Sequence, residues 1–271
     1  MVKSMPHNTF TLHVLASGSK GNASIVESTQ SGVGILIDCG ITRKRFLEGC
    51  DEVGFDPANL QAILVTHEHS DHVKGFGVVS RALAKKGIYP KIYVSPASQM
   101  KAPIFNELAD GFTCVPYDAQ AILTFDDITV YPLATSHDAA ASFGFRFESG
   151  GDSLGYVTDT GYLPPATLAA LKQVRVLALE SNHDKRMLEE GPYPRSIKDR
   201  IASQKGHLSN DQAAQALEML LSDTLEEVIA MHVSEINNTY RHPKESFQAV
   251  LDAHQHKARV LVAYQNRAQS L

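Results

Sequence analysis

Four side chains of metal-binding type lie within six residues of one another, and this cluster constrains the fold more than any other feature. His67, His69, Asp71 and His72 follow the apolar run 62–66, which is typical of a buried strand. A loop at a strand end can direct several side chains into one cavity. Because a catalytic zinc ion usually takes only three protein ligands, four donors predict two metal ions. Histidines of a solvated or capping loop are the alternative, and four donors at this spacing disfavour it.

Two metal ions need further ligands, and three residues after other apolar runs qualify. His137 follows the run 133–136, Asp159 follows 156–158, and His232 follows 229–231. Each of them alone is an ordinary polar residue. Asp38 closes another apolar run, 34–38, and is a candidate for the same edge of a sheet.

Short apolar runs alternate with turn signals along the whole chain, and they predict strands. These runs are 12–15, 23–26, 34–38, 62–66, 91–94, 128–131, 143–147, 154–157, 174–179, 228–231 and 259–262. Helices are predicted after the histidine cluster, ending near 85–87, and over 211–221 and 244–254. Ser209 and Gln212 form a capping-box pattern before the second of these helices. Because no linker-like stretch divides the chain, we expect one domain, 1–271, with sheets inside and helices outside.

The order of these motifs resembles the metallo-β-lactamase superfamily, and the resemblance spans nearly the whole chain. It implies an α/β fold, called α+β in some schemes, in which two sheets pack face to face as a four-layer αββα sandwich. It implies two divalent metal ions, Zn²⁺ or Mn²⁺, since the donors suit both. It assigns His67, His69 and His137 to one metal ion. The second is assigned to Asp71, His72 and His232, with Asp159 bridging the two ions and Asp38 orienting the ligand loop.

Other segments narrow the resemblance. The zinc β-lactamases often place a cysteine where Asp159 stands, whereas an aspartate there is similar to glyoxalase II and to the phosphodiesterases. Segments 15–22, 179–184, 206–210 and 232–239 resemble the YycJ (WalJ) branch of the superfamily. That resemblance implies a DNA exonuclease, with nucleic acid as the substrate.

The expected chemistry is hydrolysis by a metal-bridging hydroxide, with Asp71, Asp159 and His207 as the catalytic residues. Two bridged metal ions activate water and clamp the attacking and leaving oxygens of a phosphodiester. His207 precedes the predicted helix 211–221, whose N-terminus attracts anions. We therefore expect it to bind the phosphate or to protonate the leaving oxygen. A capping or packing role is the alternative for His207.

Several residues are candidates for supporting the site or for contacting the substrate. They are Asn182 and His183, which follow a strand, and Ser17 and Asn22 in a glycine-containing turn that either touches phosphate or is only a tight turn. Segment 193–207 carries four basic residues against one acid. It either grips a nucleic-acid backbone or is a solvated charged face.

Composition bounds the location and the partners. The net charge is −5, so affinity for nucleic acid would have to come from a local patch. Three cysteines without framework spacing, and the lack of a signal-peptide pattern over residues 1–8, predict a cytoplasmic protein. No apolar stretch has membrane-spanning length, and no feature identifies a protein partner.

Three functions remain open from the sequence. The first is a phosphodiesterase acting on nucleic acid, of the DNA exonuclease type. The second is a thioester or small-ester hydrolase of the glyoxalase II type, which would use the same hydroxide on an acyl carbon. The third is a metal-bound scaffold or binding protein without catalysis, although no expected ligand position is missing.

Overall fold

A computed structural model describes residues 8–271 of the chain. This part of the chain forms two seven-stranded sheets that pack face to face, with helices on both outer sides. The predicted four-layer αββα arrangement is therefore confirmed. The expectation drawn from residues 1–7 lies outside the described residues. None of the helices within residues 8–271 has the length and apolar character needed to cross a membrane.

The first sheet is mixed, and its strands β3 to β6 run parallel. Its strands are β1 (Phe10–Ala16), β2 (Ala23–Ser28), β3 (Gly34–Ile37), β4 (Leu60–Leu64), β5 (Lys91–Val94), β6 (Cys114–Pro116) and β14 (Gln269–Ser270). Across the sheet their order is β14-β1-β2-β3-β4-β5-β6. The helices of this half are α1 (Arg43–Val53), α2 (Ser70–Val73), α3 (Phe76–Ala84) and α4 (Pro96–Lys101).

The second sheet is also mixed, and its strands β10 to β13 run parallel. Its strands are β7 (Leu123–Phe125), β8 (Ile128–Ala134), β9 (Phe143–Ser149), β10 (Asp152–Val157), β11 (Val176–Glu180), β12 (Glu227–Met231) and β13 (Arg259–Val262). Across the sheet their order is β13-β12-β11-β10-β9-β8-β7. The helices of this half are α5 (Pro165–Ala170), α6 (Lys185–Glu190), α7 (Arg195–Ile201), α8 (Asn210–Leu220) and α9 (Arg241–Ala253).

Three apolar clusters hold the four layers together. The central cluster lies between the sheets, where Leu12 and Ile37 belong to the same cluster as Phe145 and Tyr156. The two outer clusters pack the helices on the sheets. One contains Phe46 of α1, and the other contains Leu217 of α8 and Phe247 of α9. Burying one such side chain contributes about 1.5 to 3 kcal/mol. The sandwich therefore supplies a rigid frame for the loops at its edge.

The predicted elements are largely confirmed, with differences at their ends. Helix α8 begins behind Ser209 and Gln212, which form the predicted capping box. Helix α9 starts at Arg241, three residues before the predicted start, because a proline in the first turn interrupts no intrahelical hydrogen bond. No range was predicted for helices α1, α4, α5, α6 and α7 or for the short strands β6, β7 and β14.

The topology brings six strand ends to one edge of the sandwich. Strands β3 and β4 are parallel neighbours, and so are β10, β11 and β12. Strand β8 has the same direction as β10, because each of them is antiparallel to β9. The carboxyl ends of parallel strands are where α/β sheets commonly bind ligands. The predicted metal-binding residues follow these strand ends.

Candidate metal centre

The predicted ligands form compact groups in which the possible donor atoms lie within 4.8 Å of one another. These groups are His67, His69 and His137; Asp71, His72 and His232; and His67, His72 and Asp159. They are the groupings expected for two neighbouring metal ions with Asp159 between them. The structure thus brings all seven residues together, and their role as ligands stays a prediction.

Asp38 fixes the histidine loop from beneath. One of its carboxylate oxygens accepts a hydrogen bond from the Thr66 amide at 2.8 Å, and the other accepts one from the Thr66 hydroxyl at 2.7 Å. The Nδ1 atom of His72 lies 2.7 Å from the same carboxylate. Because a carboxylate only accepts, this Nδ1 carries the proton and Nε2 is left as the electron-pair donor. Asp38 lies where the sequence expectation placed it.

His137, His232 and His67 show a similar division between their two ring nitrogens, whereas His69 turns its Nδ1 toward His137 Nε2 at 3.2 Å. His137 Nδ1 lies 3.0 Å from the carbonyl oxygen of Gly206, and His232 Nδ1 lies 3.2 Å from Glu180. His67 Nδ1 lies 3.0 Å from the Thr66 hydroxyl. With Nδ1 engaged outward, each such ring presents Nε2 to the centre, which is how metal-ligating histidines are usually oriented.

Three of the donor atoms are buried without a hydrogen-bond partner among residues 8–271. They are Nε2 of His67, Nε2 of His232 and Oδ2 of Asp159. Leaving one buried polar atom unsatisfied costs about 1 to 3 kcal/mol, so three in one cluster point to a missing partner. Imidazole nitrogen and carboxylate oxygen together suit a divalent transition metal. The residues therefore fit the metal ions that the sequence predicts.

The charges in the centre lead to the same conclusion. Burial would raise the pKa of Asp159, but His232 and His72 hold it well below its usual range. Burial would lower the pKa of His232, but the carboxylates of Asp159, Asp71 and Glu180 raise it to about 10. Protons on the histidines thus offset a surplus of carboxylate charge. Two divalent cations would supply that positive charge instead.

Three residues of the centre have left-handed backbone conformations. The φ angles of Asp38, Asp159 and His232 are 59°, 54° and 53°. Residues other than glycine rarely adopt this region, although aspartate and histidine tolerate it better than most. Asp38 and His232 directly follow strands, and Asp159 lies two residues beyond the end of β10, so the turn at each position redirects its side chain into the centre. Such strain commonly accompanies functional sites.

A cleft of about 230 Å³ opens over the centre. Asp71, Asp159 and His207 all line it. His207 Nδ1 lies 2.7 Å from Glu180 and 3.7 Å from Asp159, and its side chain is half-buried. Because Glu180 engages Nδ1, the nitrogen that remains for a substrate is Nε2. His207 therefore lies beside the predicted metal ligands with Nε2 not engaged by Glu180.

Glu180 is the functional residue that the sequence reasoning missed. It ends β11 and is fully buried, and its second oxygen accepts hydrogen bonds from the amides of Thr160 and Leu208. Burial would raise its pKa, but the charges and hydrogen bonds of His207 and His232 lower it to about 2. A glutamate at the end of an apolar, parallel strand was the available signal, since a buried acid needs partners.

The N-terminus of α8 gives little support to the anion site expected there, which stays a prediction. The amide of Leu208 donates to Glu180, that of Asn210 to the His183 carbonyl, and that of Gln212 to the Ser209 hydroxyl. These amides are satisfied within the protein and are not free for a phosphate. The proposed roles of His207 rest on the cleft instead of on the helix terminus.

Ser17 and Asn22 support the centre and do not line the cleft. The Ser17 hydroxyl accepts a hydrogen bond from the His232 amide at 2.8 Å. The Asn22 amide group lies 3.1 Å from His72 Nε2, and its carbonyl oxygen accepts from the Gly18 amide. The Gly21 amide donates a hydrogen bond to the Gly18 carbonyl oxygen, so the segment from Ser17 to Asn22 contains a tight turn, as one of the two sequence-based alternatives expected.

Asn182 and His183 are neighbours in the sequence but have different surroundings in the structure. Asn182 lines the cleft and donates a hydrogen bond to the His232 carbonyl oxygen at 2.9 Å. His183 is buried, does not line the cleft, and has no hydrogen-bond partner for Nδ1 within residues 8–271. Burial lowers the pKa of His183 to about 4. Its backbone pairs with Ser209 and holds two loops together.

The basic segment predicted at 193–207 is partly neutralised, because two of its four basic residues are paired with acids. Arg195 lies 2.8 Å from both Glu189 and Asp199, and Arg200 pairs with Asp138. Arg200 also lines the cleft. Because two of the four positive charges are already compensated, the segment is a weaker candidate for gripping a nucleic-acid backbone than the sequence indicates.

Comparison with known proteins agrees with this geometry. The model of the β-lactamase superfamily domain matches residues 34–233. The exodeoxyribonuclease YycJ of Bacillus anthracis is 34% identical over 245 residues, which cover 88% of each chain. The exodeoxyribonuclease WalJ of Streptococcus pneumoniae serotype 2 is 32% identical over 229 residues, covering 84% of this chain and 83% of that protein.

A solved structure shows the same fold. The metallo-β-lactamase fold protein YhfI from Bacillus subtilis aligns with a TM-score of 0.71 at 17% sequence identity. The alignment covers 97% of this chain and all of that one (100%). At this level of identity the likeness concerns the fold alone.

Proposed function

Because the chain belongs to the β-lactamase superfamily, we propose that it is a metal-dependent phosphodiesterase that acts on nucleic acid, with removal of terminal nucleotides from DNA as the expected reaction. The observation that carries this proposal is the Glu180–His207 pair in the wall of a cleft lined by Asp71 and Asp159. The exodeoxyribonuclease names of the relatives YycJ and WalJ support the choice of DNA.

The seven clustered residues would hold two divalent ions. His67, His69 and His137 would bind one ion, Asp71, His72 and His232 the other, and Asp159 would contact both. Bound there, two such ions would activate a water molecule near neutral pH and withdraw charge from the phosphate. Zinc and manganese both suit this donor set.

His207 would contribute the proton that the reaction needs. Glu180 is ionised because its pKa is lowered to about 2 despite burial, and its carboxylate accepts from Nδ1 of His207 and so orients the ring. Nε2 would then donate a hydrogen bond to the phosphate or a proton to the leaving sugar oxygen. An alkoxide is a poor leaving group, so this proton transfer matters most for a phosphodiester.

The same argument disfavours the thioester alternative. A thiol has a pKa near 8.5, so a thiolate departs without help from a general acid. A thioesterase would have no need for the buried Glu180 that holds His207 in the cleft. The metal-bound scaffold without catalysis likewise leaves that pair without a role.

The cytoplasmic location expected from the sequence stays a prediction.

The experiment is a comparison of substrates with purified protein loaded with Mn²⁺ or Zn²⁺. End-labelled single- and double-stranded DNA and RNA, bis(p-nitrophenyl) phosphate and a thioester are incubated with the protein and with Asp159→Ala. We expect metal-dependent loss of terminal nucleotides that the variant lacks. Hydrolysis of the thioester alone would replace the proposal by the glyoxalase II type. Inertness toward every substrate would leave the scaffold function.

A further inference from the structure

A second surface feature lies outside the cleft, on the helical layer of the first sheet. A groove of about 560 Å³ runs between the first turn of α1 and helix α3. Among residues 8–271, five basic residues and no acidic residue line it: Arg43, Lys44, Lys74, Arg81 and Lys85. We propose that this basic groove binds the sugar-phosphate backbone of a polynucleotide whose end or scissile bond lies in the cleft. The inference rests on the proposed function and names its substrate as a nucleotide chain instead of a small diester.

The charges of the basic groove are largely uncompensated. Within residues 8–271, Arg43, Lys74 and Lys85 form no ion pair. Arg81 donates to the backbone carbonyl of Glu107, which leaves its charge in place. Only Lys44 has an acidic neighbour, Glu48 at 3.7 Å. In a protein of net charge −5, this concentration of free positive charge attracts an anionic partner.

The basic groove also breaks a local rule of helix stability. Helix α1 opens with Arg43, Lys44 and Arg45 and has no acidic residue in its first turn. The helix dipole favours anions at an N-terminus, so cations there are unfavourable by about 0.3 to 1 kcal/mol each. Locally unfavourable choices of this kind are expected at functional surfaces. A bound phosphate would relieve the repulsion by contacting the cations and the helix terminus together.

Lys74 connects the basic groove to the metal centre. It directly follows α2, which carries Asp71 and His72, and its ammonium group donates to the Lys20 carbonyl at 2.7 Å. Ser19, the neighbour of Lys20 in sequence, lines the cleft. A strand leaving the cleft past Ser19 would therefore reach the basic groove at Lys74.

The shape and chemistry of the basic groove fit a backbone and not a particular base. Its apolar part includes Ile41 and Val78, and no aromatic side chain lines it. Stacking on bases is therefore not available, and phosphate contacts carry no sequence information. Helix α3 has nine residues and is about 14 Å long, which corresponds to roughly four phosphates along one strand of a duplex.

The test separates binding in the basic groove from chemistry in the cleft. The variant Arg43→Gln/Arg81→Gln/Lys85→Gln removes three exposed charges. The control Lys172→Gln/Lys244→Gln/Lys257→Gln removes three exposed charges from other faces. Binding of fluorescent 20-nucleotide DNA and RNA strands, and of a dinucleotide, is measured by anisotropy at several salt concentrations. Asp159→Asn is added to every protein so that no strand is cut.

We expect the groove variant to bind both 20-nucleotide strands roughly 30- to 100-fold more weakly than the control at 0.1 M salt, with its salt dependence reduced by about two units of slope. Dinucleotide binding should be the same in both. With Asp159 intact, hydrolysis of bis(p-nitrophenyl) phosphate should also be the same. Equal strand affinity of variant and control would overturn the inference, as would a strand-binding loss matched by an equal loss toward the small diester. If the parent protein cleaves nothing, the proposed function fails, while the anisotropy still decides whether the groove binds strands.

Discussion

The two walls of the metal centre are built in different ways. One wall, here called the motif wall, is the loop His67–His72, which supplies four candidate ligands from one strand end and one short helix. The other, the assembled wall, consists of His137, Asp159, Glu180, His207 and His232, which come from separate strand ends and loops of the second sheet. The motif wall is held mainly by Asp38, whereas the assembled wall exists only when the sheet has formed.

The comparison teaches that donors close in sequence and donors far apart depend on different interactions. The motif wall needs its strand, its supporting carboxylate and the glycine at 40, where a Cβ would lie 1.6 Å from the Asp71 carbonyl oxygen. The assembled wall needs the register of four parallel strands and a chain of contacts through Glu180. We therefore expect the assembled wall to depend more on bound metal.

Removing the metal ions should have the largest effect. A chelator should abolish phosphodiester hydrolysis, a loss of at least about 10³-fold, because the ions supply both the activated water and the charge stabilisation. Hydrogen exchange at the ends of β10 and β12 should rise more than at the end of β4. An equal rise in exchange at both walls would contradict the comparison. The metal assignment would be contradicted if activity were unchanged in protein that metal analysis shows to be depleted.

Replacing Glu180 should have the next largest effect. Glu180→Gln keeps the size of the side chain but loses the charge that orients and stabilises His207. We expect hydrolysis of oligonucleotides to fall about 10²- to 10³-fold. Hydrolysis of bis(p-nitrophenyl) phosphate should fall by less than about tenfold, since its leaving group needs little protonation.

The matched control for this prediction is Glu190→Gln, which removes an exposed carboxylate paired with Arg186. Its rates on both substrates should equal those of the parent protein. A parallel loss on both substrates in Glu180→Gln would mean that Glu180 acts only through the structure of the assembled wall.

Asp38→Asn probes the motif wall. Asparagine tolerates the left-handed backbone, but its NH₂ group replaces one of the two carboxylate oxygens that accept from Thr66 and His72. We expect zinc affinity, measured by competition with a chromophoric chelator, to fall about 10- to 100-fold. Ser17→Ala removes the hydroxyl that holds the His232 amide and serves as the counterpart on the assembled wall. If Ser17→Ala weakens zinc binding as much as Asp38→Asn, the two walls are equally dependent on their supports.

The smallest predicted effect concerns the pH dependence of stability through His183, behind the assembled wall. Burial lowers its pKa from 6.5 to about 4, so between these pH values His183 is protonated in the unfolded chain but neutral in the folded chain. The free energy of unfolding is therefore unaffected above pH 6.5 and decreases as the pH falls toward 4. Between pH 7 and pH 5 the decrease should be about 2 kcal/mol. Urea unfolding of His183→Gln should lack this loss, whereas the exposed control His254→Gln should retain it.

Sequence reasoning reached the fold and the seven clustered residues because the histidine motif and the order of the later motifs resemble the metallo-β-lactamase superfamily. The histidine motif lies within one loop, and each remaining donor lies one to three residues beyond the end of β8, β10 or β12. Glu180 was missed because one glutamate at the end of a strand has no pattern of its own. Its meaning depends on His207 and His232, which lie 27 and 52 residues away in sequence.

Charge pairing was equally invisible in the sequence. Segment 193–207 looked basic, yet Arg195 and Arg200 are paired with acids, among them Asp138 from a distant loop. The basic groove, in contrast, gathers Arg43 and Arg81 from two helices, one of which was not predicted. Only the folded chain shows which cations are free.

The left-handed turns at Asp38, Asp159 and His232 have a consequence for how such a protein would change if its activity were no longer selected. Glycine adopts this backbone without strain, so at these positions it would stabilise the turn while deleting a functional side chain. Alanine would lose the side chain and keep the strain. A descendant that had drifted into a purely structural or binding role should therefore accumulate glycine at 38, 159 and 232, which gives inactive members of the lineage a recognisable mark.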